Sequence, residues 1–293
     1  MIPKEVLRQI RRIQITTSKL VSTVFSGQYK SVFKGKGIEF NEVRPYIFGD
    51  DVRFIDWNAT ARLGQPFIKK FVEERELTVM LLLDVSGSFY FGTTNKLKRE
   101  LAAEICSALG YLAIYNNDKI GLLIFTKKVE KFIPPKKGTK HLLRIIREAL
   151  YFKTKENNTD IGVALEYLNK ICKRRAVVFI ISDFYDDGFE KILSITNKHH
   201  DLIAITITDP KELKLPNIGL ANFYDPETKN TFTIDTKDEN FKNYYTQNSL
   251  KLFERKDAMF KKLGIDRIDI HLDSNWQKEL FKFFRMREKK LHF

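Results

Sequence analysis

Residues 77–88 read Leu77-Thr78-Val79-Met80-Leu81-Leu82-Leu83-Asp84-Val85-Ser86-Gly87-Ser88. A short apolar run without polar alternation fits a strand buried on both faces, the kind found in a parallel sheet covered by helices. The run ends abruptly in an acid and two serines. Downstream, the chain keeps changing period. Leu97, Leu101, Ile105, Leu109 and Leu112 recur at helical spacing, which predicts a helix from about Lys96 to Tyr115. Lys119–Phe125 reads as a strand, and Val129–Ile133 as its hairpin partner, ended by Pro134-Pro135. Helices over Thr139–Leu150 and Asp160–Cys172 precede a second buried strand, Ala176–Ile181. A helix near Gly188–Lys198, a strand Leu202–Ile207, short strands Ala221–Tyr224 and Thr231–Ile234, a helix Glu239–Leu263, a strand Asp266–His271 and a helix Trp276–Arg287 complete the pattern. Strand alternating with helix predicts an α/β fold, a mostly parallel sheet with helices on both faces.

Upstream the texture differs. Residues 4–20 fit a short amphipathic helix, and Gly27–Glu76 breaks into short apolar runs between turn signals such as Gly35-Lys36-Gly37 and Gly49-Asp50-Asp51. The expected organisation is an N-terminal helix and irregular β-rich extension over 1–76, then an α/β domain over 77–293. That domain has its core at about 77–210, with further strands and helices over 211–293.

Composition narrows the function classes. The chain has 293 residues, 43% apolar and 30% charged, enough to bury a core and unlike disordered or collagen-like sequence. Unbroken apolar runs such as Val79–Leu83 and Ala176–Ile181 are far below the ~20 residues of a membrane helix. No leader is read at Met1–Glu5, so a cytoplasmic protein is expected. Cys106 and Cys172 make no disulfide framework or zinc motif and are expected as buried thiols. The formal charge is +14. It concentrates in residues 1–40 and in the tail from Trp276, where Lys278, Lys282, Arg285, Arg287, Lys289 and Lys290 lie. Such ends can meet phosphate backbones, anionic lipid or an acidic protein, or simply be a solvated face. No nucleic-acid motif accompanies them.

In an open α/β sheet, ligands bind beyond the carboxyl ends of the strands. Asp84, Ser86 and Ser88 sit at one such end, with alternate spacing that turns three oxygens to one side. Asn157-Asn158-Thr159-Asp160 opens a helix, and Asp183 leaves the strand Ala176–Ile181. Two carboxylates and three hydroxyls are hard donors that suit Mg²⁺, and Mn²⁺ also fits. Zinc is disfavoured, because no His or Cys is near in sequence. The alternatives are a capping role for Asp84, turn roles for the serines, and Asp160 as ligand in place of Thr159, although its position at a helix start favours the helix dipole. No phosphate-cradling loop and no nucleophile elbow is present. Phe89, Tyr90 and Phe91 follow the loop directly and are expected to stand around it as a partner contact.

Asp84-x-Ser86-x-Ser88, Thr159 and Asp183 resemble, in order and in kind, the metal-ion-dependent adhesion site of von Willebrand factor A domains. Upstream, Gly37-Ile38-Glu39-Phe40, Arg44-Pro45-Tyr46, Gly49–Trp57, Ala61-Arg62 and Glu74-Arg75-Glu76 closely resemble domain-of-unknown-function family fifty-eight. These are prokaryotic proteins with a von Willebrand A-like core, often encoded beside MoxR-type AAA+ ATPases. The likeness covers about residues 25–210. It implies a metal with one coordination position left for a partner's Asp or Glu. Two departures stand out: many relatives carry two N-terminal membrane helices that are not read here, and a Met often stands where this chain has Phe89. The block Arg44–Arg62 is read as structural, with Arg53, Asp56 and Arg62 tying the extension to the core, or else as a binding surface. The resulting expectation is a non-enzymatic, Mg²⁺-dependent adaptor of a MoxR-type AAA+ ATPase or its client, in chaperone-like complex assembly or stress response. A metal-dependent phosphoesterase or nuclease is the alternative, and plain nucleic-acid binding rests on charge alone.

Overall fold

The computed structural model describes residues 39–72, 76–93, 96–154, 156–224 and 230–291, with Ile10, Ile13, Thr17, Tyr29, Val32 and Phe33. Strands β1 (Glu39–Pro45) and β2 (Phe67–Val72) pair antiparallel, and helix α1 (Trp57–Leu63) lies between them in sequence. The expected β-rich segment is therefore two strands and a helix. Asp56 caps α1 by accepting from the amides of Asn58 and Ala59, and Gly64, at φ 73°, ends it in the left-handed region. Arg44 grips Asp50 through two bonds of 2.8 Å. Arg53, expected to tie the extension to the core, pairs locally with Asp51, and Asp56 caps α1. Ile47, Phe48, Val52, Trp57 and Leu63 of this lobe all face solvent, Phe48 almost completely.

The central sheet has six strands in the order β10-β7-β6-β3-β4-β5. Its members are β3 (Thr78–Asp84), β4 (Lys119–Phe125), β5 (Val129–Lys136), β6 (Val177–Ser182), β7 (Asp201–Thr208) and β10 (Asp266–His271). All neighbours are parallel except β5, which runs antiparallel along one edge. The structure extends β5 past Ile133 through Pro134 and Pro135. An edge strand tolerates this: successive amides point to opposite sides, so one proline faces the unpaired outer edge, and the other falls where the β4–β5 register breaks between Ile120 and Leu122. Strands β8 (Leu220–Tyr224) and β9 (Thr231–Asp235) form a separate hairpin.

The side-chain period of two divides β3 between two cores. Val79, Leu81 and Leu83 join one with helices α2 (Lys98–Tyr115), α3 (Thr139–Tyr151) and α8 (Trp276–Leu291). Met80 and Leu82 join the other with α4 (Ile161–Ile171), α5 (Glu190–His199) and α7 (Glu239–Leu263). Each fully buried Leu contributes about 1.5–3 kcal/mol of apolar burial. A short helix, α6 (Pro210–Leu213), was not foreseen. Asp209 and Glu212 build a capping box around Pro210 at its start.

The helix expected over 4–20 lies mostly outside the described residues, as do the basic side chains from Lys4 to Lys36, the Gly35-Lys36-Gly37 turn, Glu74-Arg75 and Pro226. Ile10, Ile13 and Thr17 are helical. With Tyr29, Val32 and Phe33, Ile10 and Ile13 are buried in the first core, where Phe33 meets Phe284 edge to face at 5.8 Å. Part of the region assigned to an extension thus packs into the α/β domain. Cys106 is buried and Cys172 half-buried, and both are free thiols.

Candidate functional site

Parallel pairing of β3 and β6 sets Leu83 opposite Ile181, so the residues that follow each strand leave the sheet side by side. Asp84 is wholly buried. Its Oδ1 accepts the Ser86 amide at 2.9 Å and its Oδ2 accepts the Ser182 hydroxyl at 2.8 Å. The chain then turns through a short 3₁₀ segment, Gly87–Tyr90, with the hydroxyls of Ser86 and Ser88 3.2 Å apart. Asp183, 2% exposed, follows Ser182. The Gly87 amide donates to the Asn157 carbonyl at 2.8 Å, which docks the loop carrying Thr159 against the serine turn. Asp160 caps α4 through the Val163 amide at 2.9 Å, the dipole-facing role weighed against ligation.

Burial drives the Asp84 carboxyl up to about 7, and the nearby Asp183 charge adds to this. Two buried carboxylates at adjoining strand ends thus call for positive charge beside them, and Asp84, whose own oxygens meet only an amide and a hydroxyl, has none in direct contact. Ligands on neighbouring octahedral positions of Mg²⁺ lie about 3 Å apart, close to the Ser86–Ser88 hydroxyl spacing. The donor set therefore fits a hard divalent cation. Among the described residues no group of three or more His, Cys, Asp or Glu is placed to hold a metal, so such a site rests on two carboxylates and hydroxyls.

The reading of the aromatic trio needs correction. Phe89, expected at the rim, is fully buried, because the 3₁₀ turn sends it inward to the core that holds Leu101 and Ile105. Tyr90 and Phe91 are exposed as expected, at 44% and 41%. Tyr90 accepts from Arg99 at 2.7 Å through its hydroxyl.

Three site residues escaped the sequence reading. Lys98 begins α2 and is fully buried, its ammonium 3.1 Å from Asp183 Oδ2 and 2.5 Å from Glu212 Oε1. Lys98 shares a helical face with Leu101, Ala102 and Ile105, a spacing that marks it as inward-facing. Burial works against its charge, yet Asp183 and Glu212 hold its pKa above the ordinary lysine value. Lys256 on α7 donates to the Asp183 carbonyl at 2.7 Å and stands 3.5 Å over the Tyr185 ring. Phe184, between them, adopts φ 56°, unusual for an aromatic residue. A groove of about 540 Å³ opens beside it, walled by Phe184, Phe189, Leu252 and Met259.

A family model described as "Protein of unknown function DUF58" matches residues 42–253, which takes in most of the small lobe and every strand of the central sheet but β10. The chain belongs to the DUF58 family. Similar relatives include uncharacterized proteins of Mycobacterium bovis and Mycobacterium tuberculosis. Each is 30% identical over 231 residues, covering 77% of this chain and 73% of the relative. Solved structures similar to this DUF58 chain include an aerotolerance-related membrane protein from Bacteroides fragilis, 16% identical, covering 73% of this chain and 99% of that one, TM-score 0.49. The von Willebrand factor A domain of SpRpn10 is 11% identical over 70% of this chain and 94% of that one, TM-score 0.38.

Among its described residues, the DUF58 chain has no helix long and apolar enough to cross a membrane. On α8, Lys278, Lys282, Arg285 and Lys289 are exposed at spacings of four, three and four residues, a cationic stripe along one helix face. His200 accepts the Ala176 amide at the amino end of β6, the opposite end of the strand from Asp183.

Proposed function

We propose that this DUF58 chain is a non-enzymatic interaction module with a Mg²⁺ or Mn²⁺ site at Asp84, Ser86, Ser88, Thr159 and Asp183. It acts as adaptor or cofactor of a MoxR-type AAA+ ATPase, or binds that ATPase's client, in chaperone-like complex assembly or stress response. The observation that carries the reading is the meeting of Asp84, Asp183 and the paired serine hydroxyls at the adjoining ends of β3 and β6. When bound, the metal supplies a coordination position for a partner's Asp or Glu. Ser182 and the Ser86 amide hold the Asp84 carboxylate in one orientation, so the donor set is arranged before a partner arrives. Tyr90 and Phe91 offer that partner an apolar edge, and the α8 stripe favours an acidic one.

The test is retention of partners from native lysate by the tagged full chain, with Mg²⁺ or with EDTA. Wild type with Mg²⁺ is expected to retain an AAA+ ATPase or its client, identified by mass spectrometry. EDTA or Asp84→Ala is expected to lower that recovery at least about tenfold, in line with the loss of a metal-completed contact. The same partner surviving both treatments removes the metal from the contact. The α8 stripe keeps one alternative in view, a metal-dependent phosphoesterase or nuclease. Mg²⁺-dependent cleavage of a phosphodiester that disappears in Asp84→Ala would promote it.

A further inference from the structure

We propose that Lys98 is a built-in counter-ion of the candidate metal site, holding Asp183 in place and setting how tightly the site takes a divalent cation. This rests on the metal reading above and adds a residue to it. The two candidate carboxylates are treated differently. Asp84 is held by a backbone amide and the Ser182 hydroxyl. Asp183 has an ammonium on Oδ2, and that ammonium is shared with Glu212. Lys98 and Asp183 are both essentially excluded from solvent, at 0% and 2% side-chain exposure, so solvent screens this pair little.

Two consequences follow. Without metal, Lys98 compensates a carboxylate that would otherwise lie buried next to Asp84. With metal, the same ammonium repels the arriving cation and keeps Asp183 Oδ2 engaged. Glu212 tempers both effects, because it draws part of the Lys98 charge toward α6 and away from the strand ends. Glu212 is in turn fixed through its other oxygen, which accepts the Asp209 amide at 3.0 Å, and its carbonyl accepts the Ser249 hydroxyl of α7 at 3.1 Å. The counter-ion is therefore anchored by three separate elements, α2, α6 and the loop after β6.

Removing the charge and removing its anchor should shift affinity in opposite directions, which a merely structural role for Lys98 would not produce. The experiment is calorimetric titration of Mg²⁺ into the full chain, beside thermal unfolding with and without Mg²⁺. Lys98→Met is expected to bind Mg²⁺ about 10- to 100-fold more tightly than wild type, the usual span for changes just outside a metal's ligands. Its metal-free melting temperature should fall, and Mg²⁺ should raise it by more than in wild type. Glu212→Gln, which leaves the whole Lys98 charge on Asp183, is expected to bind Mg²⁺ several-fold more weakly. It serves as the measurement should Lys98→Met not fold. Asp84→Asn gives the blank. Wild-type binding that vanishes in Asp84→Asn, with neither Lys98→Met tighter nor Glu212→Gln weaker, overturns the role of Lys98 and leaves the metal site standing. Absence of Mg²⁺ binding in wild type and in Lys98→Met overturns both.

Discussion

In Asp84→Asn the metal-free protein is expected to be more stable than wild type near pH 8, by on the order of 4 kcal/mol at most, and Mg²⁺ is expected to stabilise it no further. The argument is one of linkage. The Asp84 carboxyl titrates near 3.8 in the unfolded chain and is pushed up to about 7 in the fold, by burial first and by the Asp183 charge second. Between these values the folded state binds a proton that the unfolded state has released, so metal-free wild type loses stability as pH rises through that window. At about 1.4 kcal/mol per pH unit, the gap is worth the amount stated. The amide of Asn has the carboxylate's shape, carries no charge and removes the effect. A bound divalent cation acts on wild type in the same direction, by neutralising the pair. Denaturant unfolding from about pH 4 to pH 8, with and without Mg²⁺, checks the claim. A flat wild-type profile without metal would sink it.

A second large effect concerns the turn that follows Ser86. Phe89→Ala is expected to cost about 3–5 kcal/mol of stability, because it empties a fully buried aromatic position between the turn and α2. Phe91→Ala, at a side chain 41% exposed, is expected to stay within about 1 kcal/mol. Unfolding midpoints of the two variants read the difference directly. Equal losses would mean that the turn presents both rings alike.

The contrast between these two phenylalanines marks where sequence reasoning reached its limit. Adjacent positions in an irregular turn carry no periodicity, and only the 3₁₀ geometry of Gly87–Tyr90 decides which ring goes inward. Where a period existed, the reading was close. The apolar run read at Leu77–Leu83 is a parallel strand over Thr78–Asp84, buried from Val79 on, and the helix over Glu239–Leu263 has the bounds its pattern predicts. Pro134-Pro135 misled because proline breaks a strand only where its amide is needed, and here one amide position faces the outer edge while the other falls at a register break against β4. A rule about strand ends was enough to set Asp84 and Asp183 at neighbouring strand ends, and the structure pairs Leu83 with Ile181 just before them. Lys98 and Glu212 were not legible in this way, because they lie 114 positions apart and meet only through the fold. Charge in a sequence is normally taken as surface, and Lys98 is an exception that its helical register with Leu101 and Ile105 betrays. The small lobe was misjudged for a related reason. Arg53 and Asp51 are two residues apart and satisfy one another, so they have little left for the core.

One property of the sheet bears on how the protein is made. Strands β3, β4, β6 and β7 have all been synthesised by Thr208, whereas β10, which closes the other side of β7, begins only at Asp266. While the intervening residues are translated, the amides and carbonyls along the outer side of β7 have no partner, and an open sheet edge is a template for a strand from any chain. Ribosomal stalling or proteolytic clipping between these two points would release fragments with an unfinished border and with a first core still lacking the side chains of α8. Such fragments are the form of this protein most prone to join their own kind.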